Sequence, residues 1–277
     1  MNKIQVTLTV EEGKEIIALG VLKHPLLLNS FKNGKIIFKG GTTVSKITEK
    51  LIGVSLRISG RITTRGTVSC LTTLNSPHSI LLEDGNWKNI DETIVKEVQG
   101  FNNNDIIICG ANAFDYKGRA ALMAGSPGGG NVGQSMSSWY SEGASVLIPV
   151  GIEKMIPGDL DEIINKSSRT GKSLSWGMSV GLIPIYGEIF TEVEAFRKLA
   201  NVECFVIGSG GLAEAQGSTT FEIWGSKIEL DKIIEILKAT KGNITSVSGD
   251  EDSLIECKAI CVNCAKHLAC GYKIRIL

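Results

Sequence analysis

Near the middle of the chain the sequence reads Asp105-Ile-Ile-Ile-Cys-Gly-Ala-Asn-Ala-Phe-Asp115, an apolar β-branched run that opens into small and polar residues. Upstream, Lys35-Ile-Ile-Phe-Lys39 runs in the same way into Gly40-Gly41-Thr42-Thr43. Short apolar runs of this kind are typical of buried parallel strands, and the residues after them form loops at the carboxyl ends of the strands. Because open α/β sheets bind ligands at these ends, the two segments predict a metabolite site in an α/β fold.

The composition argues against nucleic-acid and membrane partners. Lys and Arg together number 29, as do Asp and Glu, so no net charge favours a polyanion or an anionic membrane. No apolar run reaches the length that spans a bilayer, and residues 1–10 alternate like a strand rather than forming the apolar core of a signal peptide. We therefore expect a cytoplasmic protein with a small-molecule partner, and a homo-oligomeric state stays open.

The order of the predicted elements divides the chain into three parts. After about residue 175 it runs strand, helix, strand, strand, helix, which is close to the split βαβ pattern of a ferredoxin-like fold. We therefore expect an α/β fold. It comprises a three-layer α/β core at residues 1–175, an inserted or appended ferredoxin-like α+β subdomain at residues 176–245, and a Cys-rich C-terminal segment at residues 246–277.

The Gly40-Gly41-Thr42-Thr43 segment is the first candidate binding loop. Two glycines allow a ligand to approach the backbone, and the two hydroxyls add donors to the amides that open the following helix. This arrangement suits a phosphate, a carboxylate or a pyrophosphate. A plain strand-to-helix turn with a threonine N-cap would have the same sequence.

Two further loops supply candidate residues. Gly110, Asn112 and Asp115 follow the central strand, where Asp115 is a candidate catalytic base and Asn112 a candidate ligand-binding residue. Asn and Asp also bond to their own backbone in ordinary turns, which is the alternative interpretation. In Gly125-Ser-Pro-Gly-Gly-Gly-Asn131, the exposed amides of Gly128, Gly129 and Gly130 predict an anion-binding loop or a mobile lid.

These motifs, taken in order, resemble the superfamily of sugar-phosphate isomerases, CoA transferases and DeoR-type regulators, and the layout is most similar to ribose-5-phosphate isomerase A. That family has a Gly/Thr phosphate loop like residues 40–43, a strand end similar to Cys109–Asp115 and a glycine loop like residues 126–130. It also has a ferredoxin-like insertion after a Pro-Val strand end, as at Pro149-Val150. The resemblance spans roughly residues 15–242, and it implies a small phosphorylated or carboxylated ligand.

The catalytic residues of the isomerase are largely replaced. Cys109 and Asn112 stand where that family has acidic residues, and Ser126 or Pro127 stands where it has the catalytic lysine. Among those positions only Asp115 keeps its carboxylate. Glu153 and Lys154 follow the next strand, so Glu153 is the second candidate catalytic residue. Pentose-phosphate isomerisation is therefore not expected, and whether the ligand is turned over stays open.

Four cysteines crowd the C-terminal segment: Cys257, Cys261, Cys264 and Cys270. Thiolates at such short spacings can converge on one metal centre, which predicts a 4Fe–4S iron–sulfur cluster or a structural zinc ion as cofactor. Reduced cysteines that simply pack are the alternative. The first function expected is therefore the binding of a small anionic metabolite, with turnover left open. The alternative is a non-catalytic metabolite sensor, or a redox or assembly subunit, that carries this metal.

Overall fold

The computed structural model describes residues 2–69, 75–255 and 267–271. Its helices are α1 (Val10–Val21), α2 (Pro25–Asn33), α3 (Thr42–Ile52), α4 (Ile94–Val98), α5 (Gly130–Ser141), α6 (Leu160–Lys166), α7 (Glu192–Leu199) and α8 (Lys227–Thr240). Short 3-10 turns lie at Pro127–Gly129, Ile152–Lys154, Ala213–Ala215 and Glu251–Leu254. No helix among these residues combines the length and the apolar character needed to cross a membrane.

The strands are β1 (Asn2–Leu8), β2 (Lys35–Lys39), β3 (Gly60–Thr63), β4 (Gly66–Ser69), β5 (Ser79–Glu83), β6 (Asn86–Asn89), β7 (Ile106–Cys109), β8 (Ala113–Phe114), β9 (Ala120–Ala124), β10 (Ser145–Pro149), β11 (Gly181–Ile185), β12 (Glu188–Phe190), β13 (Glu203–Gly210) and β14 (Ser218–Gly225). The largest sheet has the order β12-β10-β7-β2-β5-β6. Its first four strands are parallel to one another, whereas β5 pairs antiparallel with β2, and β6 pairs antiparallel with β5. The predicted α/β class is thus confirmed, with a mixed sheet.

Both faces of this sheet are covered, which explains the uninterrupted apolar sequence of its central strand. In β7, Ile106 and Ile108 belong to one buried cluster, together with apolar residues of α1, α3 and α7. Ile107 and Cys109 face the opposite way and belong to a second cluster, which contains residues of α4 and α5. Since successive side chains of a strand point to opposite faces, a strand buried on both sides must be apolar at every position.

The predicted ferredoxin-like subdomain is not confirmed as a separate unit. Its expected strands and helices are present, but β11 pairs with β9 and β12 extends the parallel edge of the large sheet beside β10. The β13–β14 hairpin pairs instead with β1 from the beginning of the chain. These pairings are long-range, so a local pattern of elements could not reveal them. The boundaries at residues 175 and 245 stay predictions.

Candidate functional site

A cavity of about 810 Å³ lies at the carboxyl ends of β2, β7 and β10. The parallel arrangement of these strands brings their end loops to one edge of the sheet. The cavity is lined by seven of the residues that the sequence singled out: Gly40, Gly41, Thr42, Thr43, Gly110, Asn112 and Glu153. The structure thus joins three separate loops into one site.

The Gly40–Thr43 loop delivers the beginning of α3 to this cavity. The N-cap residue Gly41 makes no side-chain hydrogen bond to the helix, and the first bond across the cap runs from the Ser45 N–H to the Gly41 carbonyl at 2.7 Å. The N–H groups of residues 42–44 precede that bond, and the described part of the chain gives them no acceptor. Amides at a helix N-terminus attract anions through both their hydrogens and the helix dipole.

Gly40 is required here because the chain passes close to His78. A Cβ at residue 40 would lie 2.4 Å from His78 Nδ1 and 2.5 Å from the His78 carbonyl oxygen. The Gly40 N–H donates a hydrogen bond of 2.6 Å to that same oxygen. The loop is therefore held against His78, the residue directly before β5, by a contact that only glycine permits.

His78 is a neutral support for the loop. Burial lowers its pKa to about 3, and the nearby charges of Lys39 and Arg57 act in the same direction. Nδ1 lies 2.8 Å from the Arg57 carbonyl oxygen, which only accepts, so Nδ1 carries the proton. Nε2 then accepts from the Ser59 hydroxyl at 3.3 Å. His78 thus connects the Gly40–Thr43 loop to residues 57–59, the start of another wall of the cavity.

Two side chains strengthen the anion-binding character of this end. Thr43 is 3% exposed, and its Oγ1 has no hydrogen-bond partner among the described residues. Lys39 ends β2 and lines the cavity, and it forms no ion pair with any residue that the structure describes. An unpaired hydroxyl and an unpaired ammonium group beside open helix amides favour a negatively charged ligand.

Asn112 contributes a donor from the next loop. Its Oδ1 accepts from the Met123 N–H at 2.9 Å, which fixes the orientation of the side-chain amide. The Nδ2 group of this fixed side chain has no acceptor in the described part of the structure, and Asn112 lines the cavity. Such an amide can bind a phosphate or carboxylate oxygen.

A group of charged residues lies where β10 and β12 end. Glu153 and Lys154 line the cavity, as do Glu11 and Lys14, whose charged atoms are 2.5 Å apart. Burial lowers the pKa of Lys154, an effect that the negative charge of Glu153 opposes. Acidic and basic groups thus stand together at one end of the cavity, as proton transfer requires.

Glu192, which the sequence analysis missed, lies behind this group. Its Oε2 accepts from the Ile152 N–H at 3.0 Å, and its Oε1 would be 2.5 Å from a Cβ at Gly13. Burial and, to a smaller extent, the charge of Glu153 together raise the pKa of Glu192 to about 8. Glu192 is the first residue of α7 and follows the end of β12, a position from which the sequence could have indicated a site residue. That inference, however, requires knowing that β12 pairs with β10 in the large sheet.

Asp115, the first candidate catalytic residue, has a structural role. Burial alone would raise its pKa, but hydrogen bonds from the Arg119 side chain and from three backbone N–H groups lower it to about 2. The side-chain bonds measure 2.9 and 2.6 Å, and the backbone donors are those of Lys117, Arg119 and Leu160. A carboxylate with this many donors is a weak base, so the structure favours the turn interpretation.

The three glycines of the second loop also lie away from the cavity lining. Gly128, Gly129 and Gly130 all have positive φ and form the turn that begins α5. A Cβ at Gly129 would lie 2.4 Å from Cδ1 of Ile183 in β11, so this turn packs against the β9–β11 sheet. Their conformation explains the need for glycine without a ligand.

The predicted metal site falls almost entirely outside the described residues. Cys257, Cys261 and Cys264 are not among them, whereas Cys270 is buried with a free thiol. Within the described residues, no group of three or more His, Cys, Asp or Glu side chains could hold a metal ion. The iron–sulfur or zinc centre therefore stays a prediction.

No protein-family model matches the chain, and neither the curated proteins nor the solved structures give a match. The resemblance to sugar-phosphate isomerases and CoA transferases therefore stays a prediction. Fold alone supports many chemistries, so the function has to be argued from the geometry of the cavity.

Proposed function

We propose that this protein binds a small phosphorylated or carboxylated metabolite in the cavity at the carboxyl ends of β2, β7 and β10. The observation that carries the proposal is the beginning of α3, where open backbone amides meet the unpaired hydroxyl of Thr43 and the unpaired ammonium group of Lys39. Together they supply oriented hydrogen-bond donors and a positive charge for one anionic group.

The proposal is tested by calorimetric titration with inorganic phosphate and with a short carboxylate. Replacing Lys39 by Met should weaken binding roughly tenfold, since a charge-assisted hydrogen bond is lost. Lys35→Met is the matched control, because Lys35 begins the same strand and its ammonium group pairs with Glu83 at 3.6 Å. Equal affinities for the two variants would contradict the proposal.

Turnover of the ligand is supported by the charged group at the end of β10. Glu153 and Lys154 line the cavity that contains the anion loop, and Glu192 provides a neutral carboxyl behind them at pH 7. This arrangement suits proton transfer more than phosphoryl transfer. It is compatible with a member of the isomerase or CoA-transferase superfamily that uses residues other than those of the isomerase.

The second candidate function is a sensor, or a redox or assembly subunit, with a metal bound by the C-terminal cysteines. The spacing of Cys257, Cys261, Cys264 and Cys270 supports it. Anaerobic purification followed by iron, zinc and acid-labile sulfide analysis tests this alternative. Iron with sulfide would favour the redox role, zinc alone would favour a structural site, and absence of metal would remove the alternative.

A further inference from the structure

We propose that the ligand is an amphiphilic anion, a phosphate or carboxylate attached to an apolar chain or ring, rather than a polyol phosphate. This inference rests on the proposed function, because it takes the start of α3 as the site of the anionic group. It concerns the remainder of the cavity, which accommodates the body of the ligand.

The wall beyond the anion loop is apolar. It is formed by side chains from four separate segments of the chain, among them Ile58, Val68, Leu122, Met123, Met178 and Val180. Leu122 and Met123 belong to β9, and the segment with Met178 and Val180 leads into β11, which pairs with β9. The position of the wall is thus fixed by a β-sheet.

The polar side chains of the same region are already engaged by the protein. Thr67 Oγ1 donates to the Met178 carbonyl oxygen, and the Ser59 hydroxyl lies 3.3 Å from His78 Nε2. Arg61 donates from Nη1 and Nη2 to the carbonyl oxygens of Ser253 and Ile255, both at 2.6 Å. The hydroxyl groups of a polyol would lose their hydrogen bonds to water at this wall and would find few hydrogen-bond partners in the protein to replace them.

The size of the cavity supports the same conclusion. A volume of about 810 Å³ far exceeds that of an isolated phosphate or carboxylate group, which the anion loop alone can hold. Cavities of roughly 300–1,000 Å³ with apolar walls and a few convergent polar groups are typical of sites that enclose an entire organic ligand. The anion-binding groups, namely Lys39, Thr43 and the open amides at the start of α3, come from one loop, and Glu11, Lys14, Glu153 and Lys154 also line the cavity.

The test is a calorimetric comparison of ethyl, butyl and hexyl phosphate with inorganic phosphate and ribose 5-phosphate, and a parallel series of alkyl carboxylates. Affinity should rise about three- to fourfold for each methylene group that the wall covers. Ribose 5-phosphate should bind no more tightly than ethyl phosphate. A flat series, or tighter binding of ribose 5-phosphate than of hexyl phosphate, would overturn the inference and leave the anion site intact. Binding of none of these anions would instead refute the proposed function.

A variant pair assigns the effect to the wall. Met123→Gln keeps the length of the side chain but makes it polar, and it should reduce the gain in affinity from ethyl to hexyl phosphate at least threefold. Met155→Gln is the control, since Met155 is exposed and lies outside the apolar wall. An unchanged chain-length dependence in Met123→Gln would overturn the inference.

Discussion

The backbone of Gly40 lies in direct contact with His78, whose carbonyl oxygen accepts the Gly40 N–H at 2.6 Å and whose Nδ1 occupies the space that a Cβ at residue 40 would need. This contact positions the loop that begins α3. It is also the reason why the sequence has glycine at that point, independent of any ligand.

Replacing Gly40 by Ala should therefore destabilise the protein and weaken phosphate binding. We expect the free energy of unfolding to fall by about 1–3 kcal/mol, the usual effect of overpacking. Urea denaturation measures this change. At the neighbouring Gly41 a Cβ would meet nothing within 4 Å, so Gly41→Ala should cause a much smaller loss of stability. Equal losses for both variants would contradict the assigned contact.

Asp115→Asn separates a structural role from a catalytic one. The variant loses the charge that binds Arg119 and should lower the free energy of unfolding by about 1–3 kcal/mol. Phosphate affinity should remain unchanged. Asp161, an exposed partner of the same arginine, supplies the control Asp161→Asn, which should change stability little. Loss of ligand binding in a folded Asp115→Asn protein would restore its candidate role in the site.

The pH dependence of this effect follows from the pKa of Asp115, which is lowered from 3.8 to about 2 in the folded protein. Because the folded state holds the proton less tightly than the unfolded state, the stabilisation is fully present above about pH 4. It should disappear as the pH falls toward 2. The difference between wild type and Asp115→Asn in urea denaturation should shrink over that interval.

Glu192→Gln should show the opposite pH dependence. The pKa of Glu192 is raised from 4.5 to about 8 by burial and by the charge of Glu153, so the folded state binds the proton more tightly. Wild-type stability should therefore decrease as the pH rises from 4.5 to 8, while the uncharged glutamine of the variant carries no such penalty. We expect the variant to gain stability relative to wild type across this interval, as measured by urea denaturation. Glu235, exposed on α8, provides the control Glu235→Gln, for which no such gain is expected.

A gain of the same size in the Glu235→Gln control would show that the effect does not arise from Glu192. No relative gain in Glu192→Gln would show that Glu192 is ionised in the folded protein at neutral pH. The neutral carboxyl that the proposed proton-transfer role needs would then be absent.

The positions of the Gly40–Thr43 loop and of the loop after β7 could be predicted from the sequence because both depend on local patterns. Apolar β-branched runs that end in Gly, Thr or Asn identify parallel strand ends, and parallel strands bring such ends together. Gly40, Thr43 and Asn112 therefore appear in the cavity as expected. Glu153 follows the same logic, since it comes just after β10.

The remaining site residues depend on contacts between distant segments. Asp115 accepts local bonds from Lys117 and Arg119, as the turn interpretation predicts, but the bond from the Leu160 N–H, 45 positions away, could not be predicted from the sequence. Glu192 acts near the cavity only because β12 joins the large sheet. The glycines at 128–130 have the composition of an anion loop, but their packing against Ile183 required the β9–β11 pairing. No local pattern contains these relationships.

Amide chemical-shift mapping with inorganic phosphate tests whether the start of α3 is the anion site. On titration, the backbone N–H resonances of Thr42, Thr43 and Val44 should move in a saturable manner, and Lys39→Met should weaken the response while Lys35→Met leaves it intact. Unmoved resonances at residues 42–44, or shifts confined to the glycine turn at residues 128–130, would contradict the site proposed for this protein.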